Sequence, residues 1–433
     1  MDQELQLTED EKLAKDFMMK LILEGSTIEC DTGEASEIKF ERPSWYDDVK
    51  FKRGQKYFHD NKFGIMNSNL FGLLSVLAEP KGLNILISTG RSSTPATARK
   101  RYVSTVFHML SWYENDLVPN SKSWKSLLMV RKMHLLASTQ AKAKKIGMIS
   151  QTEIAMTAFG FMAYALTRPH TLGIRYKNLR EDRDAFVFFW AVICAMLGVK
   201  DEFNMCKHKL EVVEIICEIS RRYIFLQILQ LETPEFMQMA RAFYEGQKEF
   251  LPILSFDAMM FLNRRTAGLP GYQYKVDMKM ESLCKTIFTD NELNQIHSYF
   301  KAREGYEYIR EFVLDNNIKL IDIRRNRNSN NNIETPTENV KSSSNVIEFE
   351  SLTALHKLLG LDHPSELQVT VISPSIDWKQ VCNNSQYKKL PLRDRIIVYL
   401  RCEAFEGNYK CLGHFINEQL TKFILNKMKK YNK

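Results

Sequence analysis

Arg131 and His134 stand in the middle of the stretch SLLMVRKMHLLAS, residues 126–138, which is apolar over most of its circumference. At about 100° per residue, Lys125, Lys132 and Thr139 share one narrow edge of a helix, the natural line toward solvent. Arg131 and His134 fall away from that edge, among Trp124, Leu127, Leu128 and Leu135. A buried polar group without a partner costs roughly 2–7 kcal/mol, and an unpaired guanidinium more, so both residues must be satisfied by something. Upstream, Arg101, Thr105, His108 and Trp112 follow one another at i, i+4, i+7 and i+11, which puts them on one stripe of a preceding helix. Tyr102, Val106, Met109 and Tyr113 make an apolar stripe on another side. If the two helices are neighbours, Arg101, Thr105, Arg131 and His134 can wall a polar pocket. The same residues also admit a purely structural account, in which a core histidine bonds a backbone carbonyl and an arginine pairs with a buried carboxylate.

The elements that must position these residues are helices. Thr94 is a fitting N-cap with Pro95 in the first helical position, and periodic residues run on to about Tyr113. A second helix is expected from about Trp124 to Lys144. SQTE at 150–153 is a capping box, opening a helix that ends before Pro169. The run AFVFFWAVICAMLGV, residues 185–199, is short of the roughly 18–20 residues that span a bilayer and reads as a buried core helix. Further helices are expected near 205–231, 234–250, 255–266 and 290–316. Residues 1–320 thus form a helical domain. Residues 321–346, rich in Asn, Ser, Thr and charge, read as a linker or surface loop. Residues 347–433 read as a smaller mixed extension, with helical pieces at ESLTALHKLLGL and LRDRIIVYLRCEAF and one strand at LQVTVIS. The fold class is all-α, multi-helix and globular.

Composition sets outer limits. A chain of 433 residues with 44% hydrophobic and 26% charged residues is an ordinary globular sequence, and its net charge of +8 is mild for the length. Basic residues are dispersed and no stacking-plus-basic motif occurs, which disfavours a nucleic-acid role. The acidic N-terminus lacks the pattern of a signal peptide, so a cytoplasmic protein is expected, with peripheral membrane contact open to the basic end FILNKMKKYNK. The eight cysteines contain no CxxC or CxxCH pair, which speaks against a zinc ribbon and against covalent haem. Cys194, Cys206 and Cys217 sit in apolar surroundings as reduced thiols do. Cys411 and His414 are half of a ligand set at most.

The spacing R-x-x-x-T at Arg101 and Thr105, with the histidine of VRKMH 29 residues later, resembles the ER-bound oxygenase and rubber-oxygenase (latex-clearing protein) family. The order of further motifs is similar too. SWYDDVKFKRGQKYF at 44–58 resembles the family's W-x-D…RGQ-x-x-F segment, and LLSVLAEP…LISTGR at 73–91 its helix and turn before the Arg/Thr helix. QTEIAMTAFGF at 151–161 and DAFVFFWAVICAMLGV at 184–199 are similar to the two helices that follow. The resemblance covers about residues 40–270.

It implies an all-α fold holding a non-covalent b-type haem that cleaves a C=C bond of an apolar isoprenoid chain with O₂; the location expected from the sequence itself is cytoplasmic or peripheral to the ER membrane. By transfer His134 is the axial ligand of the iron, and Arg101 and Thr105 lie in the haem pocket. Those residue types suit the roles: a buried helix holds an imidazole in one orientation, Arg is a permanent cationic donor for a propionate or for bound oxygen, and a Thr hydroxyl can bond oxygen or water. Phe159, Phe161, Trp190 and Met196 are expected as wall residues, and Arg131, one turn before His134, as a propionate partner. His108 is the rival ligand. His59, His170, His208, His297, His356 and His363 lie among polar or turn residues and are expected at the surface. Glu79 is the one nearby acid that could act as a base. The alternatives to an enzyme are a haem- or lipid-binding helical protein without turnover, and a relative that has lost the cofactor.

Overall fold

A computed structural model describes residues 7–174, 179–250, 255–269, 272, 287–289, 291–293, 295–296, 384–406 and 410–431. Each helix begins where local chemistry satisfies its free N–H groups. In α1 (Glu9–Leu23), Thr8 and Glu11 form a reciprocal capping box. Asp47 caps α2 (Asp48–Asp60), which is followed by α3 (Lys62–Leu77) and α4 (Pro80–Ser88). Thr94 with Thr97 opens α5 (Pro95–Glu114), and Ser121 opens α6 (Lys122–Ala143). The Ser150/Glu153 box opens α7 (Gln151–Thr167). Next come α8 (Arg180–Met196) and α9 (Leu210–Ser220), the latter running through a π-helical turn at Arg221–Phe225 into α10 (Leu226–Leu231). Then follow α11 (Pro234–Gln247), α12 (Phe256–Ala267), the single turn α13 (Ser385–Lys388), α14 (Leu392–Glu406) and α15 (Lys410–Tyr431). No strand occurs among the described residues, and the fold class is all-α.

Contacts divide the chain into two units. The larger comprises 1–287 with 368–433, so α14 and α15 belong to the same body as the N-terminal helices: α14 packs on α12, and α15 on α3. In the smaller unit, 288–367, the few described residues include a Thr289/Glu292 capping box. The expected linker at 321–346, the strand LQVTVIS, the helix ESLTALHKLLGL and most of the helix near 290–316 lie outside the described residues, as do the side chains of Cys411 and His414.

The core is built on two close helix pairs. α3 lies against α7 where Gly72 meets Gly160; a Cβ on Gly72 would collide with the Gly160 carbonyl. α2 lies against α8 where Gly54 meets the Ala185 carbonyl. Around them Phe58 stacks on Tyr113 with ring centroids 3.7 Å apart, and Tyr113 stacks on Phe189 at 4.4 Å. The apolar helix α8 is buried along most of its length, and no single described helix is long and apolar enough to cross a membrane.

One charged cluster is sealed in this core. Glu218 on α9 takes Arg221 Nε at 3.0 Å and lies 3.4 Å from Arg168 and 3.5 Å from Arg222. Arg221 Nη1 also donates to the Ala267 carbonyl at 2.8 Å. Burial works to raise the Glu218 carboxyl, but the three guanidinium groups outweigh it and hold the acid well below the usual carboxylate range.

Candidate functional site

The inward face of α6 is buried at Ser123, Leu127, Val130, Ser138 and Ala141. His134 sits at the middle of that face by helical phase, yet it is only half-buried. A matching gap opens on α5. Ala98, Met109 and Trp112 are buried there, whereas Thr105, which shares their side of the helix, is exposed and Arg101 is half-buried. On α7, buried nearly throughout, the stripe Glu153, Met156, Thr157 and Phe161 stays accessible. On α3 the accessible line is Asn69, Leu73 and Val76. Residues at the inner faces of packed helices remain accessible only when they border an opening.

Side-chain contacts tie these stripes together. The Asn69 amide lies 2.9 Å from Met109 Sδ on α5 and, turned to donate, 2.6 Å from the Phe161 carbonyl on α7. Phe161 stacks on Trp190 at 4.7 Å, and Trp190 meets Trp112 edge to face at 6.3 Å. Arg101 Nη1 reaches Thr89 Oγ1 at 3.5 Å, at the end of α4. The accessible stripes of α3, α5, α6 and α7, with the end of α4 beside Arg101, make the border of the candidate cleft, which is inferred from their exposure.

His134 has an unusual environment. Its Nδ1 is buried without a hydrogen-bond partner among the described residues. Burial, with the nearby charge of Arg101, pushes the ring's pKa down to about 4 against the smaller opposing effect of Asp31. The imidazole is thus neutral near pH 7 and keeps an uncommitted lone pair. Arg101 is itself lowered from its ordinary value by burial. Thr105, which is exposed, donates its hydroxyl proton to the Arg101 carbonyl at 3.2 Å, which leaves the oxygen's lone pairs free to accept.

The other sequence candidates fall elsewhere. Arg131 forks onto Asp31, with Nε to Oδ2 at 2.8 Å and Nη2 to Oδ1 at 2.6 Å, leaving only Nη1, which lies 3.5 Å from the Met196 carbonyl. A residue a hundred positions earlier thus satisfies Arg131, in the middle of SLLMVRKMHLLAS. His108 is held by Ser126, whose Oγ is 2.8 Å from Nδ1 and also takes the Trp112 indole N–H at 2.9 Å. Glu79 caps α4 by accepting from the backbone N–H groups of Lys81 and Gly82. Phe159, Trp190 and Met196 are fully buried, and of the expected wall residues Phe161 alone is accessible.

Of the histidines expected at the surface and described, His59 and His170 are exposed, while His208 is half-buried. His59 bonds the Tyr113 carbonyl at 3.1 Å and His208 meets the Phe17 ring. Asp31 and Ser126 were missed from sequence, because only the fold brings them to their partners.

No group of three His, Cys, Asp or Glu that could hold a metal ion occurs among the described residues. A haem needs no such cage, since the macrocycle supplies four ligands and the protein one. A neutral histidine with an orphaned nitrogen, an Arg of opposite sign to a propionate and one accessible aromatic ring, Phe161, fit that group.

A helical body carrying one uncommitted histidine in a cleft defines the class of this molecule as far as geometry takes it. No protein-family model and no curated protein matches the chain. Among solved structures, the chain is similar to that of latex clearing protein in its closed state, with 16% identity over 83% of this chain and 92% of that chain and a TM-score of 0.41. A similarity of that size assigns neither site nor activity.

Proposed function

We propose that this chain is a haem-dependent oxygenase that cleaves a C=C bond of an apolar, isoprenoid-type substrate with O₂. The observation that carries the reading is His134: a neutral imidazole at the centre of an inward helix face, in a cleft, with a buried nitrogen that no described residue satisfies. The ordered motifs between residues 40 and 270, which resemble those of oxygenases of this kind, point the same way.

Non-covalently bound b-type haem supplies the oxygen chemistry, and His134 is the residue that holds its iron. Arg101, cationic and facing the cleft, binds a propionate or offsets negative charge developing on oxygen. Thr105 presents its hydroxyl oxygen to the same space and can hold a water or a substrate-derived oxygen there. Arg131 Nη1 is the weaker propionate donor, its other two donors being occupied by Asp31. Phe161, Leu73, Val76 and Met156 give the alkene an apolar surface that excludes water.

Oxygen uptake by the haem-loaded chain with a prenyl chain, together with carbonyl-ended cleavage products, tests the activity. Arg101→Ala is expected to lower turnover about 100-fold, the usual effect of removing one positioned donor. Haem binding without oxygen uptake would replace the oxygenase with a carrier or sensor of the same fold.

A further inference from the structure

Helix α6 carries a second feature on the side away from His134. Met129, Met133 and Leu136, at i, i+4 and i+7, are 55%, 39% and 53% exposed. Val118, just ahead of the helix, is exposed as well. Large apolar side chains adjacent on one helix face and uncovered are not scattered surface residues; they mark a surface that meets something.

The charges around them say what. Between Asp116 and Glu153 the sequence holds seven Lys or Arg and no carboxylate. By helical phase Lys122 sits among the three apolar residues and Lys125 and Lys132 run along their edge. None of these three lysines has an acidic partner among the described residues. The neighbouring segment 29–42 does bring acids to α6, but on another side. Glu29 bonds Ser138 at 3.1 Å, Asp31 bonds Arg131, and Phe40 packs on Trp124, all at least 100° around the helix from Leu136 and Met129.

We infer that the outer face of α6 docks onto an anionic lipid bilayer. The apolar triad enters the boundary between headgroups and acyl chains, and Lys122, Lys125 and Lys132 lie against the lipid phosphates with their methylene stems along the same surface. A protein partner would be expected to find acids as well as bases for its own mixed charges, and an acid-free strip beside exposed methionines fits a uniformly negative, fluid surface better. The inference stands apart from the proposed chemistry, because it uses the opposite face of the helix. The two would nonetheless work together, since an isoprenoid chain resides in the bilayer.

Flotation of the full chain with phosphatidylcholine vesicles, with and without about one third phosphatidylserine, tests this. The wild type is expected to float with the anionic vesicles, and to be released as salt rises. Lys125→Glu/Lys132→Glu is expected to weaken binding at least about ten-fold, because each basic residue near an anionic surface contributes roughly 1 kcal/mol. Met129→Gln/Met133→Gln/Leu136→Gln is expected to weaken it comparably. These side chains are exposed, so melting temperature and circular dichroism should stay at wild-type values. Lys427→Glu/Lys429→Glu/Lys430→Glu, which alters the basic end of α15, should bind as wild type. The inference is overturned by wild type that ignores anionic vesicles, by binding that the α15 variant alone removes, or by a dimer of the free chain that the glutamine variant dissociates.

Discussion

Two polar regions of this molecule are taken out of water, and they are finished differently. At Glu218 one carboxylate is met by Arg168, Arg221 and Arg222, with a backbone carbonyl taking a further donor. In the cleft, Arg101 makes one long contact to Thr89, and His134 Nδ1 has no partner among the described residues. Burial of a polar group is tolerable when its bonds are made and costly when they are not. The first region is therefore an internal fastening between α7, α9 and α12. The second is a place where the fold leaves binding capacity unspent, which is how a protein prepares a site for something it does not itself contain.

Substitutions in the two regions should have opposite effects. Glu218→Gln should be the most damaging, at about 3–5 kcal/mol in chemical denaturation, because it strands buried guanidinium charge. The acid side carries a matching signature. Glu218 is depressed in the folded state relative to its ordinary value of 4.5. Its contribution to stability is present above that value, and is lost as pH falls below it toward the depressed folded-state value, as the unfolded chain takes the proton first. The glutamine variant should flatten that acid limb, and an unchanged limb would mean the cluster is not what stabilises the core. Asp31→Asn should cost less, about 2 kcal/mol, since the pair with Arg131 is only partly buried. His134→Leu should go the other way. In haem-free protein it should be neutral or stabilising by up to about 1 kcal/mol, because an apolar side chain replaces a ring nitrogen that has no partner. Marked destabilisation there would show that His134 is an ordinary core residue whose bonds matter to folding.

Much of the scaffold was legible because helix starts are local. Thr94 before Pro95, and Ser150 with Glu153, announce α5 and α7 within a few residues, and each helix begins where those signals put it. Helical phase on α6 is local too: it separates Lys125 and Lys132 from His134, and His134 does lie on the inward face. What sequence could not supply was anything set by distant segments. Arg131 admits either a ligand or a buried carboxylate as its partner, and only the fold shows that Asp31, brought alongside by the loop after α1, takes two of its donors. Glu79 looked like a free acid because LAEP shows no helix boundary by hydrophobic period, whereas in the fold it caps α4 ahead of Pro80. His59 is at the surface, as its polar neighbours in sequence suggest, whereas His208, with equally polar neighbours, is half-buried because Phe17 comes against it from α1. Thr105 shows the reverse: its period predicts an inward position, and only the gap between helices explains why it is exposed. The C-terminal helices gave no sign in sequence of packing on α12 and α3, since an amphipathic pattern says that a face is covered but not by what.

If His134 is kept free for an iron, loss of its side chain must abolish haem binding. The most direct measurement is the ultraviolet–visible spectrum, with a pyridine haemochrome assay, of haem-supplemented wild type beside His134→Ala and His108→Ala. The expected result is a stoichiometric b-type Soret band in wild type and in His108→Ala that disappears in His134→Ala. Wild type that stays colourless, or a band that survives the loss of His134, would contradict the account.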